Sequence, residues 1–350
     1  MKSKILIVSP CQGAYGGIEA FVLALAAAVR QEPDLDVRLL FKRVKGFALQ
    51  PDLKTMLQGE DTDFVNRANR ELAELIKWAD LVHLQNASPD VVALARLFRK
   101  RLALTIHNHM PDRLIPGTVL WRISANMADA RWYNSEFVRR TWEGETKHVG
   151  SRKVPTVSRL PEGWTEPEQR RGLVFIGRWV ANKGVDTLID AYALAGLDPE
   201  KWPLILMGDG PLRSLIEYAV QRRGIRGVQI LGFVDEVTKS VNMKNARWAV
   251  VPPNTREDFG LTAVEARHLG VPCIITRDGG LPEAGGRQAL ICDPADPKAL
   301  AQLLQQAAAM SKSEYAERAL RTREELKSEL EPMEFYASAY RKILQGEIVE

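Results

Sequence analysis

Two successive series of short apolar runs, separated by helix-spaced segments and mostly ending at turn residues, constrain this 350-residue chain more than any other feature. The first series is residues 5–9, 37–41, 81–84, 103–106 and 131–133. The second is 173–176, 204–207, 228–231, 248–251, 272–275 and 289–292. Runs this short and this continuously apolar suit strands covered on both faces, whereas Ile18, Phe21, Val22, Leu25 and Val29 follow the spacing of a helix. Strands alternating with helices predict an α/β chain of two doubly wound parallel sheets, and the length suits two domains of ~150 residues each. The expected bounds are a first domain over 1–160, a linker over 161–171 marked by Pro161, Gly163 and Pro167, and a second domain over 172–332. A last helix, about 333–350, carries Phe335, Tyr336, Tyr340, Ile343 and Leu344 and needs an apolar surface to dock on. Residues 43–65 lack periodicity and are expected to form a mobile loop. Ligands of such sheets bind outside the carboxyl ends of strands, so the expected site is the cleft between the domains.

Apolar content of 45% and charged content of 26% are those of a globular protein. The net charge of +4 is uneven. Residues 1–160 hold 24 Lys/Arg against 17 Asp/Glu, hence +7, and residues 161–350 hold 24 against 27, hence −3. The surplus suits an anionic partner or surface on the first half. Its densest stretch is Arg96-Leu-Phe-Arg-Lys-Arg-Leu102, which either complements a helix C-terminus or touches anionic lipid headgroups. No basic stripe interleaves with aromatics, so nucleic acid is not an expected partner. Cys11, Cys273 and Cys292 have neither metal-like nor disulfide-framework spacing. The N-terminus reads as a strand and no segment approaches a membrane span. The expected location is the cytoplasm, with peripheral contact at the inner face of the membrane left open.

Within Glu257-Asp-Phe-Gly-Leu-Thr-Ala-Val-Glu265 a strand gives way to a helix, so Phe259, Gly260 and Leu261 form a helix start. Free N–H groups and the helix dipole make that start a seat for an anion. The flanking glutamates suit hydroxyls at two ends of an extended polar ligand, although two solvated carboxylates would show the same spacing. Gly177-Arg-Trp-Val-Ala-Asn-Lys-Gly184 leaves the strand 173–176, and Arg178 and Lys183 on that loop can together neutralise a diphosphate. Gly13, Gly16 and Gly17 follow the first strand and permit close backbone approach, but match neither a Walker loop nor the dinucleotide fingerprint. His107 ends the strand 103–106 where a side chain can meet a ligand, with His109 as the other candidate. Gly208, the exit at Phe233 and Val234, and the turn 278–283 lie at other strand ends, and each taken alone reads as structural before functional.

Together these motifs resemble the retaining GT-B glycosyltransferases of carbohydrate-active family 4. The specific part is Gly177-Arg178…Lys183-Gly184, Gly208-Asp-Gly-Pro211, Gly232-Phe-Val234, Glu257-Asp-Phe-Gly260…Glu265-Ala266, Gly270-Val-Pro272 and Gly279-Gly-Leu-Pro-Glu283. The first half matches at Gly16-Gly17-Ile-Glu19, Thr105-Ile-His107 and Asn134-Ser-Glu136. The resemblance implies two Rossmann-like domains facing a central cleft, with the final helix crossing back to the first. It implies a nucleotide-diphosphate sugar as donor co-substrate, with neither cofactor nor metal, and a carbohydrate or glycolipid acceptor. Arg178 and Lys183 would hold the diphosphate with the N–H groups of Phe259, Gly260 and Leu261. Glu257 would lie by the donor sugar, Glu265 on the ribose, and Phe233 and Val234 along the base. Gly16 and Gly17 would approach the donor phosphates, Gly208 would contribute to the donor site, and His107 would contact the transferred sugar. Departures are Arg267-His268 after Glu265-Ala266, Pro252-Pro253-Asn254 for a commoner Pro-Ser, and Asn108 after His107. The rival readings are a nucleotide-sugar epimerase of the same shape and a non-catalytic subunit of a glycosyltransferase complex.

Overall fold

The structure, a computed structural model, describes residues 2–349 except 12, 14, 15, 44–47, 49, 59–61, 66–68, 114, 156, 158 and 159. The chain divides into two compact units, Met1–Arg159 with Glu331–Glu350, and Leu160–Leu330.

The first unit holds strands β1 (Ser3–Cys11), β2 (Leu35–Arg43), β3 (Thr62–Val65), β4 (Leu81–Gln85), β5 (Arg101–Ile106), β6 (Ala130–Tyr133) and β7 (Ser151–Lys153). They form one parallel sheet in the order β3-β2-β1-β4-β5-β6-β7. Successive side chains of a strand point to opposite faces, and β1 shows the consequence. Ile5 and Ile7 join a core with Phe21, Val22 and Leu25 of the helix Gly17–Val29. Leu6 and Val8 join a second core with Leu72 and Ile76 of the helix Arg70–Trp78. The last helix, Glu334–Gln345, packs in the first of these cores through Tyr336, Tyr340 and Ile343.

Residues 43–65 are not simply a loop: they include a helix, Pro51–Met56, and the edge strand β3. Leu53 is fully buried and Phe64 stacks on Phe41 of β2 at 5.7 Å between centroids. An edge strand is anchored by a few side chains and its ladder, so it needs no apolar run. The polar β7 escapes a periodicity reading for the same reason. The basic stretch 96–102 is largely engaged by the protein itself. Arg96 donates to the carbonyl of Met127 at 2.8 Å and pairs with Asp129 at 3.1 Å, and Lys100 Nζ donates to the carbonyl of Lys77 at 2.8 Å.

The second unit holds β8 (Arg171–Ile176), β9 (Leu204–Met207), β10 (Val228–Gly232), β11 (Ala246–Val251), β12 (Cys273–Thr276) and β13 (Leu290–Cys292), parallel in the order β10-β9-β8-β11-β12-β13. Part of the polar stretch before it is fastened to this unit: Arg170 is 2% exposed and donates to the carbonyls of Thr165, Leu269 and Gly270.

Candidate active site

In the second unit the exits of β8, β9 and β10 are stitched together by backbone. Gly177 N–H donates to Met207 O at 3.2 Å, Trp179 N–H to Asp209 O at 2.8 Å, and Gly208 N–H to Gly232 O at 2.7 Å. Gly208 has φ +119°, and a Cβ there would lie 1.9 Å from Gly177 O, so only glycine lets the two exits approach. Arg178 is thereby carried on a fixed loop and is exposed. Phe233, just beyond β10, is 80% exposed, and Val234 beside it is half-buried.

The far end of the same loop is tied to the exit of β11. Asn254 N–H donates to Asn182 O at 2.9 Å, Asn254 Nδ2 donates to Ala181 O at 3.1 Å, and Thr187 Oγ1 donates to Asn254 Oδ1 at 2.9 Å. Asn254 thus has a structural use that accounts for one departure from the family pattern. The turn after β12 holds the next residues. Glu257 N–H donates to Asp278 Oδ2 at 2.9 Å and Gly280 N–H donates to Glu257 O at 2.8 Å.

These ties bring Lys183 Nζ within 2.5 Å of Glu257 Oε2, with side chains 29% and 16% exposed. The pair lies at the carboxyl edge of the sheet, with Glu257 four residues before the first residue of the next helix, Leu261. Phe259 is buried, and Gly260, at φ +99°, leads into the helix Leu261–His268, which no side chain caps. A Cβ on Gly260 would lie 2.5 Å from Leu281 Cδ1. The helix start therefore keeps unsatisfied N–H groups beside a cation, an arrangement that attracts a polyanion.

Glu265 lies about one turn into that helix and is 5% exposed. Its Oε1 pairs with Lys239 Nζ at 3.1 Å, and Lys239 also meets Glu236 at 2.7 Å. Burial pushes the Glu265 carboxyl up, with Lys239 opposing. Burial works against the Lys239 ammonium, but Glu265 and Glu236 outweigh it and its pKa is raised. The sequence reading missed Lys239, because a lone lysine in a largely polar helix carries no signal of burial. Lys239→Met is expected to lower unfolding free energy by about 3 kcal/mol, since it strands a buried carboxylate. A carboxyl raised in the folded state costs stability as pH rises from its unfolded to its folded value. The loss, measured by denaturant titration, should therefore be smaller near pH 5, about the top of the ordinary carboxylate range, than at neutral pH. Arg267, the other departure, is structural: it is 1% exposed, donates to Ala284 O at 3.0 Å and forks onto Glu329 at 2.9 Å.

In the first unit His107 is 6% exposed just after β5. Its Nε2 faces Gln85 Oε1 at 2.8 Å, which assigns the proton to Nε2. The Gln85 amide reaches His83 Nε2 at 3.2 Å, and His83 Nδ1 meets the Tyr340 hydroxyl of the last helix at 2.7 Å. Asn86 accepts from His107 N–H and Asn134 donates to His107 O, each at 2.8 Å. His83 and Gln85 were not singled out from sequence, and Tyr340 was singled out only as an apolar residue of the last helix, since its contact with His83 closes across 257 residues. Burial holds both imidazoles down at about 3. His107 is thus neutral near neutral pH, suited to hydrogen bonding rather than to carrying charge.

Folded values below the ordinary ~6.5 mean that the unfolded chain binds more protons between about pH 6.5 and pH 3. Stability should fall as pH is lowered through that window, by roughly 1 kcal/mol per pH unit for each histidine. A melting-temperature profile checks this, and His83→Gln should flatten it. Gly16 precedes the helix Gly17–Val29, which also lacks a side-chain cap, and residues 12, 14 and 15 of that loop lie outside the described residues.

Two Rossmann-like parallel sheets and loops gathered at strand ends define the class as GT-B. Residues 158–324 match the family model described as Glycosyl transferases group 1. It is similar to D-rhamnosyltransferase WbpZ of Pseudomonas aeruginosa, 28% identical over 238 residues, covering 64% of this chain and 60% of the relative. It is also similar to an uncharacterized glycosyltransferase of Methanocaldococcus jannaschii, 35% identical over 234 residues, covering 63% of each. The chain thus spans less than two thirds of the length of either relative. Among solved structures, Anabaena HepE in complex with UDP and glucose superposes with a TM-score of 0.76 at 17% identity, covering 98% of this chain and 99% of that one, a likeness of fold.

Proposed function

We propose that this protein is a retaining, metal-independent glycosyltransferase that moves a sugar from a nucleotide-diphosphate sugar to a hydroxyl acceptor in cell-surface polysaccharide, lipopolysaccharide or glycolipid synthesis. The observation that carries the reading is the Lys183–Glu257 pair beside the uncapped helix start, with exposed Arg178 on the same loop. An entering diphosphate competes with Glu257 for Lys183, and it meets Arg178 and the N–H groups of Gly260 and Leu261. Glu257, released from Lys183, turns to the donor sugar, while Glu265, steadied by Lys239, takes the ribose. Phe233 and Val234 border the base, and the Gly208 turn supports the donor loop. In the first unit the reading gives Gly16 and Gly17 the donor phosphates and neutral His107 the transferred sugar.

In the reaction the bond between the anomeric carbon and the phosphate oxygen breaks, and its electron pair leaves with the nucleoside diphosphate. The acceptor oxygen bonds to the same face of the carbon, and its proton passes to a donor phosphate oxygen. Arg178, Lys183 and the helix dipole stabilise the charge that develops on the leaving group. The same reading locates the protein in the cytoplasm with peripheral contact at a membrane. Among the described residues no helix is long and apolar enough to cross one.

A thermal-shift screen with UDP-, GDP- and ADP-sugars tests the donor assignment. The matching donor at a hundredfold excess over Kd should raise the melting temperature by about 5 °C. No stabilisation by any of them would end the reading. Epimerised sugar nucleotide formed without an acceptor would replace it with the epimerase.

A further inference from the structure

The helix Pro116–Asn126 of the first unit is built inside out. It buries Thr118, Ser124 and Ala125, all small. Its large apolar residues face outward: Val119 39%, Leu120 52%, Trp121 36% and Ile123 51% exposed, with Ile115 and Met127 exposed at its two ends. Ile115, Val119, Ile123 and Met127 recur every four residues, so they form one stripe with Leu120 alongside, while Trp121 lies about 100° further round the helix and is the least exposed of the set. Residues 113–128 contain no acidic residue, and Arg113 and Arg122 are exposed. A contiguous outward stripe of this kind marks an interaction surface.

A second observation lies beside it. Arg122 also lines a cavity of about 360 Å³ with Arg131, Arg140, His148, Tyr133 and Glu143. The one carboxylate of that lining is already engaged: Glu143 accepts from the Tyr133 hydroxyl at 2.9 Å and pairs with Arg131 at 3.4 Å and Arg139 at 3.6 Å. Arg140 pairs with Glu136 at 3.2 Å, and Arg122 donates to Thr141 O at 3.4 Å. Arg122, Arg131, Arg139 and Arg140 thus stand around two carboxylates, Glu136 and Glu143, which leaves a cationic surplus beside the apolar stripe. At 1.5 Å per residue the 11-residue helix is about 17 Å long, too short to span a bilayer and suited to lying along one.

We infer that this helix is a membrane-docking surface, its apolar stripe seated at the acyl boundary of an anionic bilayer and the arginine-rimmed cavity taking a lipid phosphate headgroup. A free phosphate would use the cavity but leave the stripe uncovered. A second copy of the chain would cover the stripe whatever the charge of a bilayer. The proposal deepens the peripheral-contact part of the reading above, names a helix other than the basic stretch 96–102, and is independent of the transfer chemistry.

The test is co-sedimentation of the full chain with phosphatidylcholine vesicles, with and without about 30% phosphatidylglycerol. Binding should be at least about tenfold stronger to the anionic vesicles. Leu120→Gln/Trp121→Gln should lower it about tenfold or more through lost apolar burial. Arg122→Glu should lower it by a similar factor and narrow the difference between the two vesicle types. Leu120 and Arg122 are exposed and Trp121 is 36% exposed, so unfolding midpoints are measured alongside and binding is compared between folded variants. Wild-type protein that fails to sediment, that binds both vesicle types equally, or whose binding is indifferent to Leu120→Gln/Trp121→Gln overturns the proposal. So does a dimer, seen by light scattering, that dissolves in the double variant while no vesicle binding is found. Donor stabilisation in the thermal-shift screen should persist in every one of these variants, so failure here leaves the transferase reading intact.

Discussion

Lys183→Ala is expected to lower turnover of the donor about 10²–10³-fold, the usual loss when one preorganised electrostatic group is removed from a developing negative charge. The fall should appear in kcat and kcat/KM together, because the ammonium meets most charge when the phosphate departs. Stability should barely move. The Lys183–Glu257 pair is 29% and 16% exposed, and partly solvated pairs contribute about 1 kcal/mol or less. An unchanged melting temperature with collapsed turnover would therefore separate chemistry from folding. Lys183→Arg should recover part of the rate, since it restores the charge in a bulkier, forked geometry. Turnover that survives in Lys183→Ala, and equally in Arg178→Ala and Glu257→Ala, would remove the site from this edge of the sheet.

Gly184→Ala is expected to be nearly as severe by a different route. Gly184 sits at φ +67°, and a Cβ there would lie 1.8 Å from the carbonyl oxygen of Pro252. The left-handed conformation costs a non-glycine residue about 1–2 kcal/mol, and moving backbone out of the way costs a similar amount. A loss near 3 kcal/mol is expected by denaturant titration. The two loops that must part are the ones carrying Lys183 and Glu257, so stabilisation by the donor should vanish even where the variant stays folded. A variant as stable as the wild type that still responds to donor would show that the contact relaxes without cost.

The strands were legible where both faces are covered. A run such as Ile5 to Val8 can be buried only if helices flank it on both sides, and the structure places Ile5 and Ile7 in one core and Leu6 and Val8 in another. The edge strands β3 and β7 were not legible, because a partner ladder and one or two side chains suffice to hold them. The docking of Tyr336 and Tyr340 was implied by their apolarity, but not the hydrogen bond from Tyr340 to His83. The glycines of the strand exits were visible as permissive residues. What each of them permits, such as Gly208 lying against Gly177 O, could be seen only after folding.

Sequence by itself determined the two parallel sheets, the helix start at Phe259–Leu261 and the set of charged residues near it, because burial periodicity and helix-start chemistry act over a few neighbouring residues. Tertiary structure alone decided which charges meet. Lys183 stands 74 residues before Glu257, and Lys239 stands 26 before Glu265. No local rule selects those partners over other carboxylates. They are chosen by the approach of strand ends, which the glycine turns and the Asn254 and Asp278 hydrogen bonds hold in place. The same holds for the helix Pro116–Asn126: only packing shows that its small side face turns inward and its apolar stripe outward.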